Sequence, residues 1–403
     1  MYRILVADAI KPEGLGPLSE ASNIHLIQKT VEEAANKLDQ IDAILVRSAT
    51  KVSEDLMNRM PQLKIIARAG VGVDNIDIPA ATKRGIVVVN APDGNTISTA
   101  EHTFAMMASL MRHIPQAYAS LKNGEWKRSS YTGTELRGKT LGIVGFGRIG
   151  GEIAKRAKVF GMDVIVYDPF LTVDRAKKMS VTALPLDELL PKADIITVHT
   201  PLTNETRGLI NKEKLLTCKK GVYVLNCARG GILDEDDLYE MLVEGHVAGA
   251  ALDVFVEEPP LGHKLLELDS VIATPHLGAS TKEAQLNVAV QVAQEVLTYF
   301  EGNPVSSSIN LPAISKEVFE KVQPFHQLVQ QMGSIASQCM NEGIQEISVT
   351  YAGESLDFDT AILTKSLISG FLRSRVDASV NEVNALLIAK ERGITIGEKI
   401  STD

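Results

Sequence analysis

Three side chains of different chemical type stand at the ends of three successive β-like runs in the second half of the chain: Arg229 in NCARGG, Glu258 in DVFVEEPP and His276 in TPHLGAS. In a doubly wound sheet the carboxyl ends of the strands are where ligands are presented. An imidazole titrates near working pH and moves a proton. A carboxylate bonded to the other ring nitrogen fixes its tautomer, and a guanidinium grips a carboxylate with two parallel hydrogen bonds. Oxidation of a 2-hydroxy acid by a nicotinamide needs a base for the hydroxyl proton, a cation for the carboxylate and a nicotinamide face nearby. The trio is therefore read as catalytic. Plainer readings are a structural histidine, a solvated loop acid and a helix-capping arginine. The catalytic reading rests on three functional types falling at three neighbouring strand ends. His199 also ends a run, has no assigned acidic partner and is read as structural.

The nicotinamide is suggested by the stretch Leu141 to Asp168, LGIVGFGRIGGEIAKRAKVFGMDVIVYD. An apolar run meets Gly145, Gly147 and Gly150, a helical pattern follows, and a second apolar run ends on Asp168. Gly145 permits the tight turn, Gly147 lets the backbone approach a pyrophosphate, Gly150 lets the helix pack on the sheet, and the helix N-terminus faces the phosphates. Asp168 lies about 20 residues on, where an acid accepts hydrogen bonds from the adenosine ribose and repels a 2'-phosphate. No arginine occupies Pro169, Phe170 or Leu171, so NAD is expected over NADP.

The elements that must hold these residues repeat as strand and helix. In 403 residues there is room for two or three domains. Runs at Arg3 to Ala7, Asn23 to Ile27, Ala43 to Val46, Lys64 to Ala67 and Ile86 to Val89 predict one parallel sheet, with Arg47 and Ser48 after its third strand and AGVGVDN, Ala69 to Asn75, after its fourth. Six runs from Thr140 onward predict a second sheet, complete as a dinucleotide-binding domain. Between them PDGNTISTAEHTFAMMASLMRHIP reads as a helix following the turn at Asn95, with Ser98 and Glu101 at capping-box spacing and Pro115 ending it. Phe104, Met106, Met107, Leu110 and Met111 spread round this helix, which must be buried on most sides; His102 and His113 lie on it. After Ala279 a helical stretch to Phe300 and the segment SSSINLPAI return to the first unit, making it discontinuous.

The expected fold class is thus α/β: two doubly wound parallel-sheet domains, 1–97 with 281–310 and 98–280, and a small α+β domain at 311–403, read as incomplete. With 41 basic and 50 acidic residues, net charge −9, nothing attracts nucleic acid or an anionic membrane. Cys218, Cys227 and Cys339 show neither metal spacing nor a paired framework, so no metal is expected, and the absence of a leader or a membrane-length apolar run makes the cytoplasm the expected location.

The segments ARAGVGVDNID, NAPDGNTISTAEHT, ELRGKTLGIVGFGRIG, ITVHTPL, NCARGGILDE, AALDVFVEEPP and PHLGASTKEAQ, in this order, resemble the D-isomer-specific 2-hydroxyacid dehydrogenases. The resemblance implies a substrate domain made from both ends of the first 310 residues, a central NAD domain, dimerisation through the NAD domain with a tetramer as a further possibility, and Arg229, Glu258 and His276 as the catalytic triad. It carries cofactor contacts to Arg148, Ile149, Asp168, Thr200, Cys227, Ala228, Arg229, Asp253, His276, Leu277, Gly278 and Ala279. It places the small-molecule substrate against Arg47, Ser48, Ala69, Gly70, Val71, Gly72 and Asn95. Among family members the match is closest to the one that opens phosphorylated serine synthesis by oxidising D-3-phosphoglycerate to 3-phosphohydroxypyruvate. That substrate has a phosphate for which Arg47, then Arg128 reaching across a dimer, are the candidate cations. Val71 stands where relatives often have Thr. The tail resembles the start of the intervening domain of long family members and stops before a serine-binding ACT segment. Hydroxypyruvate or glyoxylate reduction is the close alternative, and a non-catalytic NAD sensor like the co-repressors that share this fold is the alternative from another class.

Overall fold

Short apolar strands alternate with helices along most of the chain, and the strands named below pair with one another in parallel. The computed structural model describes residues 1–312, 316–340, 343–353, 360–376 and 379–401. Contacts divide the chain into two units, Met1–Gly94 with Gln285–Asp403, and Asn95–Ala284.

In the first unit β1 (Tyr2–Val6), β2 (Ile24–Gln28), β3 (Ala43–Val46), β4 (Ile65–Arg68) and β5 (Val87–Asn90) form a sheet in the order β2-β1-β3-β4-β5. Every residue of β3 and β5 is buried, as expected for strands covered on both faces. One face packs on Leu38, Met57, Met60 and Ile76. The other packs on Leu15, Leu18 and the helix Lys282–Phe300 through Val288, Val292, Ala293 and Val296. The strand order reverses between β1 and β3, so the loops after these two strands flank the crevice where a doubly wound sheet takes its ligand. The chain returns after the long helix: Ile309 N donates to Val88 O at 2.8 Å and Ser307 Oγ to Asn90 O at 2.8 Å.

The second unit holds β6 (Thr140–Val144), β7 (Asp163–Tyr167), β8 (Thr182–Ala183), β9 (Ile195–Val198), β10 (Val222–Asn226), β11 (Val247–Leu252) and β12 (Val271–Ala273). Their order, β12-β11-β10-β9-β6-β7-β8, is that of a dinucleotide-binding sheet with its switch between β6 and β9. Six of these seven strands coincide with apolar runs in the sequence; β8, two exposed residues, has none. The apolar helix Thr96–Met111 lies against this sheet beside the helix Arg148–Val159, with Phe104, Met106, Met107, Leu110 and Met111 all buried. Two local expectations fail here. Ser98 is inside the helix, its Oγ donating back to Asn95 O, and Asn95 occupies the N-cap. Pro115 does not end this helix, which stops at Met111. After a turn with His113 at φ 51°, Pro115 sits in the first turn of the next helix, Ile114–Lys122, where a missing N–H costs nothing.

The tail follows as a helix Lys316–Cys339, β13 (Glu346–Tyr351), helices Thr360–Leu372 and Ala385–Glu391, and β14 (Thr395–Ile400) paired with β13. The first two of these helices cross at a pair of glycines: a Cβ on Gly333 would strike Leu367 O, and one on Gly370 would strike Gln330 O. The tail joins the first unit through Asn384, which is fully buried. Its Nδ2 donates to Lys83 O and Ser379 O, while its Oδ1 accepts from Asn381 N; Asn381 Nδ2 in turn reaches Gly85 O at 2.7 Å.

Candidate active site

Parallel strands end with their carbonyls and following loops on one edge, and the second unit gathers its candidate side chains there. After β11, Glu258 turns back so that its Oε1 accepts from Phe255 N at 3.1 Å. Its Oε2 lies 2.8 Å from Nδ1 of His276, which follows β12. Since a carboxylate only accepts, the proton of a neutral His276 belongs on Nδ1 and Nε2 keeps its lone pair. Both side chains are partly open to solvent, at 47% and 38%. After β10, Arg229 is fixed by Asn226, whose Nδ2 donates to Arg229 O and whose Oδ1 accepts from Ala228 N, and Arg229 Nη1 donates to Ala228 O at 2.7 Å. The next residue, Gly230, lies against the Phe255 carbonyl so closely that no Cβ fits. The loop carrying Arg229 therefore packs on the loop carrying Glu258, which bonds His276.

Asp253 organises the same edge. It is 1% exposed and accepts from Leu277 N, Gly278 N and Thr274 Oγ1. Burial alone would raise its carboxyl, but the bonds from His102, Thr274 and the Leu277 amide outweigh that and leave it below the ordinary carboxylate range. Burial pushes the Cys227 thiol the other way, to about 12, with the Asp253 charge adding to it. Burial of its ring nitrogens likewise pushes His199 down to about 3, even though part of the residue reaches solvent. Nε2 meets Thr197 Oγ1 at 2.8 Å, and Nδ1 is buried without a partner among the described residues. Beside it Thr200 Oγ1 is also buried without one.

The glycine fingerprint fits a dinucleotide. Gly145 has φ 95°, and a Cβ there would sit 2.6 Å from the His199 carbonyl. Gly150 lies against Gly145 O, as close helix packing requires. A Cβ on Gly147 would meet nothing within 4 Å, leaving its backbone and the amide end of the Arg148–Val159 helix open to a phosphate, with Arg148 exposed and Ile149 half-buried beside it. Asp168 closes the far end, its carboxylate accepting from Phe146 N and Phe170 N at 2.8 Å each. An arginine does stand nearby beyond residues 169–171: Arg175 donates to Gly147 O at 3.2 Å with its guanidinium over the Phe146 ring. No fixed spacing from Asp168 marks it. Of the remaining cofactor candidates Ala228 is half-buried, Leu277 is exposed, Gly278 is buried and Ala279 is half-buried, all on this edge.

The substrate candidates lie mostly in the first unit. Asp8, after β1, accepts from Arg47 N at 2.6 Å and from Thr50 N and Oγ1, stitching together the two loops of the crevice. Arg47 Nη1 reaches Ala9 O at 3.3 Å, and Ser48 is exposed. Ala69 and Gly70 are buried after β4, Gly72 is half-buried, and Val71 O accepts from Asn90 Nδ2 at 2.6 Å. In the second unit, Asn95 stands at the N-cap position of its helix without a side-chain capping bond, its Oδ1 buried and unpartnered among the described residues, and Arg128 is exposed in the turn Arg128–Tyr131. Among the described residues no cluster of His, Cys, Asp and Glu is placed to hold a metal ion, and no helix is long and apolar enough to cross a membrane.

Residues 104–278 match the family model of the NAD-binding domain of D-isomer-specific 2-hydroxyacid dehydrogenases, and 321–403 match that of the D-3-phosphoglycerate dehydrogenase intervening domain. The chain is 61% identical to a D-3-phosphoglycerate dehydrogenase of Bacillus subtilis over 402 residues, covering 100% of this chain and 77% of that protein. It is 42% identical to that of Homo sapiens, covering 98% and 75%. Among solved structures, a D-lactate dehydrogenase from Aquifex aeolicus in complex with NAD and lactic acid is 31% identical with a TM-score of 0.68, over 77% of this chain and 100% of that one. The TT0316 protein from Thermus thermophilus is 33% identical with a TM-score of 0.70, over 76% and 99%. The α/β class, the two parallel sheets with a small third one, and NAD as cofactor stand as the sequence reading had them. The chain belongs to the D-isomer-specific 2-hydroxyacid dehydrogenases and, within them, to the D-3-phosphoglycerate dehydrogenases.

Proposed function

We propose that the chain oxidises D-3-phosphoglycerate to 3-phosphohydroxypyruvate with NAD, using His276 as base, Glu258 as its orienting partner and Arg229 as the carboxylate clamp. Bound NAD supplies the hydride acceptor. Nε2 of His276 would take the hydroxyl proton as the hydride passes from the carbon bearing that hydroxyl to the nicotinamide and a carbonyl forms, and Glu258 would steady the imidazolium that results. Arg229, on the adjoining loop, holds the carboxylate and orients that carbon. The reading is carried by the 2.8 Å bond between His276 Nδ1 and Glu258 Oε2 on the edge that also bears the glycine fingerprint. For the substrate phosphate Arg47 is the first candidate cation and Arg128 the second.

His276→Gln should lower kcat about a hundredfold or more while NADH binding, followed by fluorescence titration, stays nearly unchanged. Normal turnover in this variant would remove His276 from the chemistry. Turnover of unphosphorylated glycerate as fast as of 3-phosphoglycerate would point instead to a hydroxypyruvate-type reductase. Pairing with a second copy through the second unit is part of the proposal. Its support is the exposed apolar surface of Ile114, Tyr118, Leu121, Trp126, Val159 and Phe160, and sedimentation equilibrium tests it. The three free thiols suit the reducing cytoplasm.

A further inference from the structure

His276 sits in a backbone conformation that non-glycine residues rarely adopt, with φ 55°. Such a residue stays put only where its surroundings over-determine it, and here the surroundings are Asp253. The Asp253 carbonyl accepts from His276 N at 2.9 Å. Its carboxylate takes the next two amides, Leu277 N at 2.7 Å and Gly278 N at 2.8 Å, and on the other side Thr274 Oγ1 at 2.6 Å. The buried carboxylate thus brackets His276 from both flanks. Two soft side-chain torsions remain to be fixed in Asp253, and the fixing group comes from elsewhere in the unit.

We propose that His102, on the Thr96–Met111 helix, is a positioning residue for the site: its Nε2–H locks Asp253 and Thr274, and through them the segment 274–278 that carries His276. Nε2 lies 3.2 Å from Asp253 Oδ1 and 3.1 Å from Thr274 Oγ1. The carboxylate cannot donate, so the proton is on Nε2. Thr274 gives its own proton to Asp253 and accepts from His102, which closes a ring of three groups. The platform under the ring is stiff, because the helix is packed by Phe104, Met106, Met107 and Leu110. One turn before His102, Thr99 Oγ1 donates to Gly278 O at 3.2 Å, so the same helix holds the segment at two points. The Cys227 thiol also faces Asp253; burial keeps it neutral, so it adds no competing charge. His102 acts through Asp253, and the inference rests on the acid–base reading of His276.

The test compares His102→Leu, His102→Gln, Thr274→Val and His276→Gln in the full chain by steady-state oxidation of 3-phosphoglycerate, with the melting temperature of each recorded. Leucine keeps the volume and removes the donor, so kcat should fall about tenfold or more, while KM for 3-phosphoglycerate, set by Arg229 on another loop, changes less than about threefold. Glutamine returns a neutral N–H at similar reach and should restore kcat to within about threefold of wild type. Wild-type kcat in His102→Leu, or glutamine no better than leucine at matched melting temperature, overturns the proposal. Should the leucine variant not fold, Thr274→Val removes another corner of the ring; it should lose kcat in the same way, and wild-type turnover there overturns the proposal too. An inactive His276→Gln beside a normal His102→Leu discards only the positioning role, whereas an active His276→Gln discards the acid–base reading itself.

Discussion

Arg229 is held through its own backbone by Asn226 and through Gly230 by the neighbouring loop, so removing its side chain leaves the loop anchored. Arg229→Ala should therefore act mainly through the substrate. Loss of a charge-assisted pair of hydrogen bonds, about 1.5–3 kcal/mol, raises KM for the hydroxy acid about tenfold to a hundredfold and leaves KM for NAD nearly constant. Equal rises in both would argue against a carboxylate contact. His199 allows a prediction of a different kind. Its folded pKa of about 3 lies below the unfolded value near 6.5, so its contribution to stability is complete above pH 6.5 and is lost as the pH falls and the unfolded chain takes the proton. By pH 5 the loss is about 2 kcal/mol, from about 1.4 kcal/mol per unit. Urea unfolding of wild type and His199→Phe between pH 8 and 5 should show their stability difference drifting by about that amount toward the variant. A pH-independent difference would mean that the imidazole titrates normally.

At the level of elements, β7 delivers Asp168 to the end of the fingerprint, where a carboxylate would favour a ribose hydroxyl over a 2'-phosphate. Asp168→Ala should narrow the ratio of kcat/KM for NAD over NADP about tenfold or more, read from parallel assays with the two nucleotides. An unchanged ratio would give the selection to another group, of which Arg175 is the nearest at hand. The strands, the fingerprint and the strand-end positions of Arg229, Glu258 and His276 were legible in the sequence because each obeys a local rule: short apolar runs, glycines at fixed spacing, lone polar residues after a run. What stayed hidden depends on the third dimension. Arg175 folds back from seven positions beyond Asp168, His102 looks like one more residue of an apolar helix until Asp253 arrives beside it, and β8 is too short and exposed to carry a pattern. Ser98 carries a capping-box spacing, yet the chain already turns at Asn95, so the helix starts there and Ser98 falls inside it.

For the molecule as a whole, the tail is not a loose appendage, because the contacts that tie it to the first unit are buried. Asn384 makes three hydrogen bonds with no exposure. Asn384→Ala strands the Lys83 and Ser379 carbonyls and should cost about 1–3 kcal/mol, seen as a lower melting temperature with kcat unchanged. A variant as stable as wild type would mean that apolar packing alone, through Val383 on the first sheet, holds the tail.

The crossing of the two tail helices at Gly333 and Gly370 has its own outcome. Where main chain rests on main chain there is no side-chain volume to trade, so a change on one helix finds no compensating change on the other. In a library covering every position of the tail, these two should appear as isolated columns accepting a single letter amid permissive surroundings.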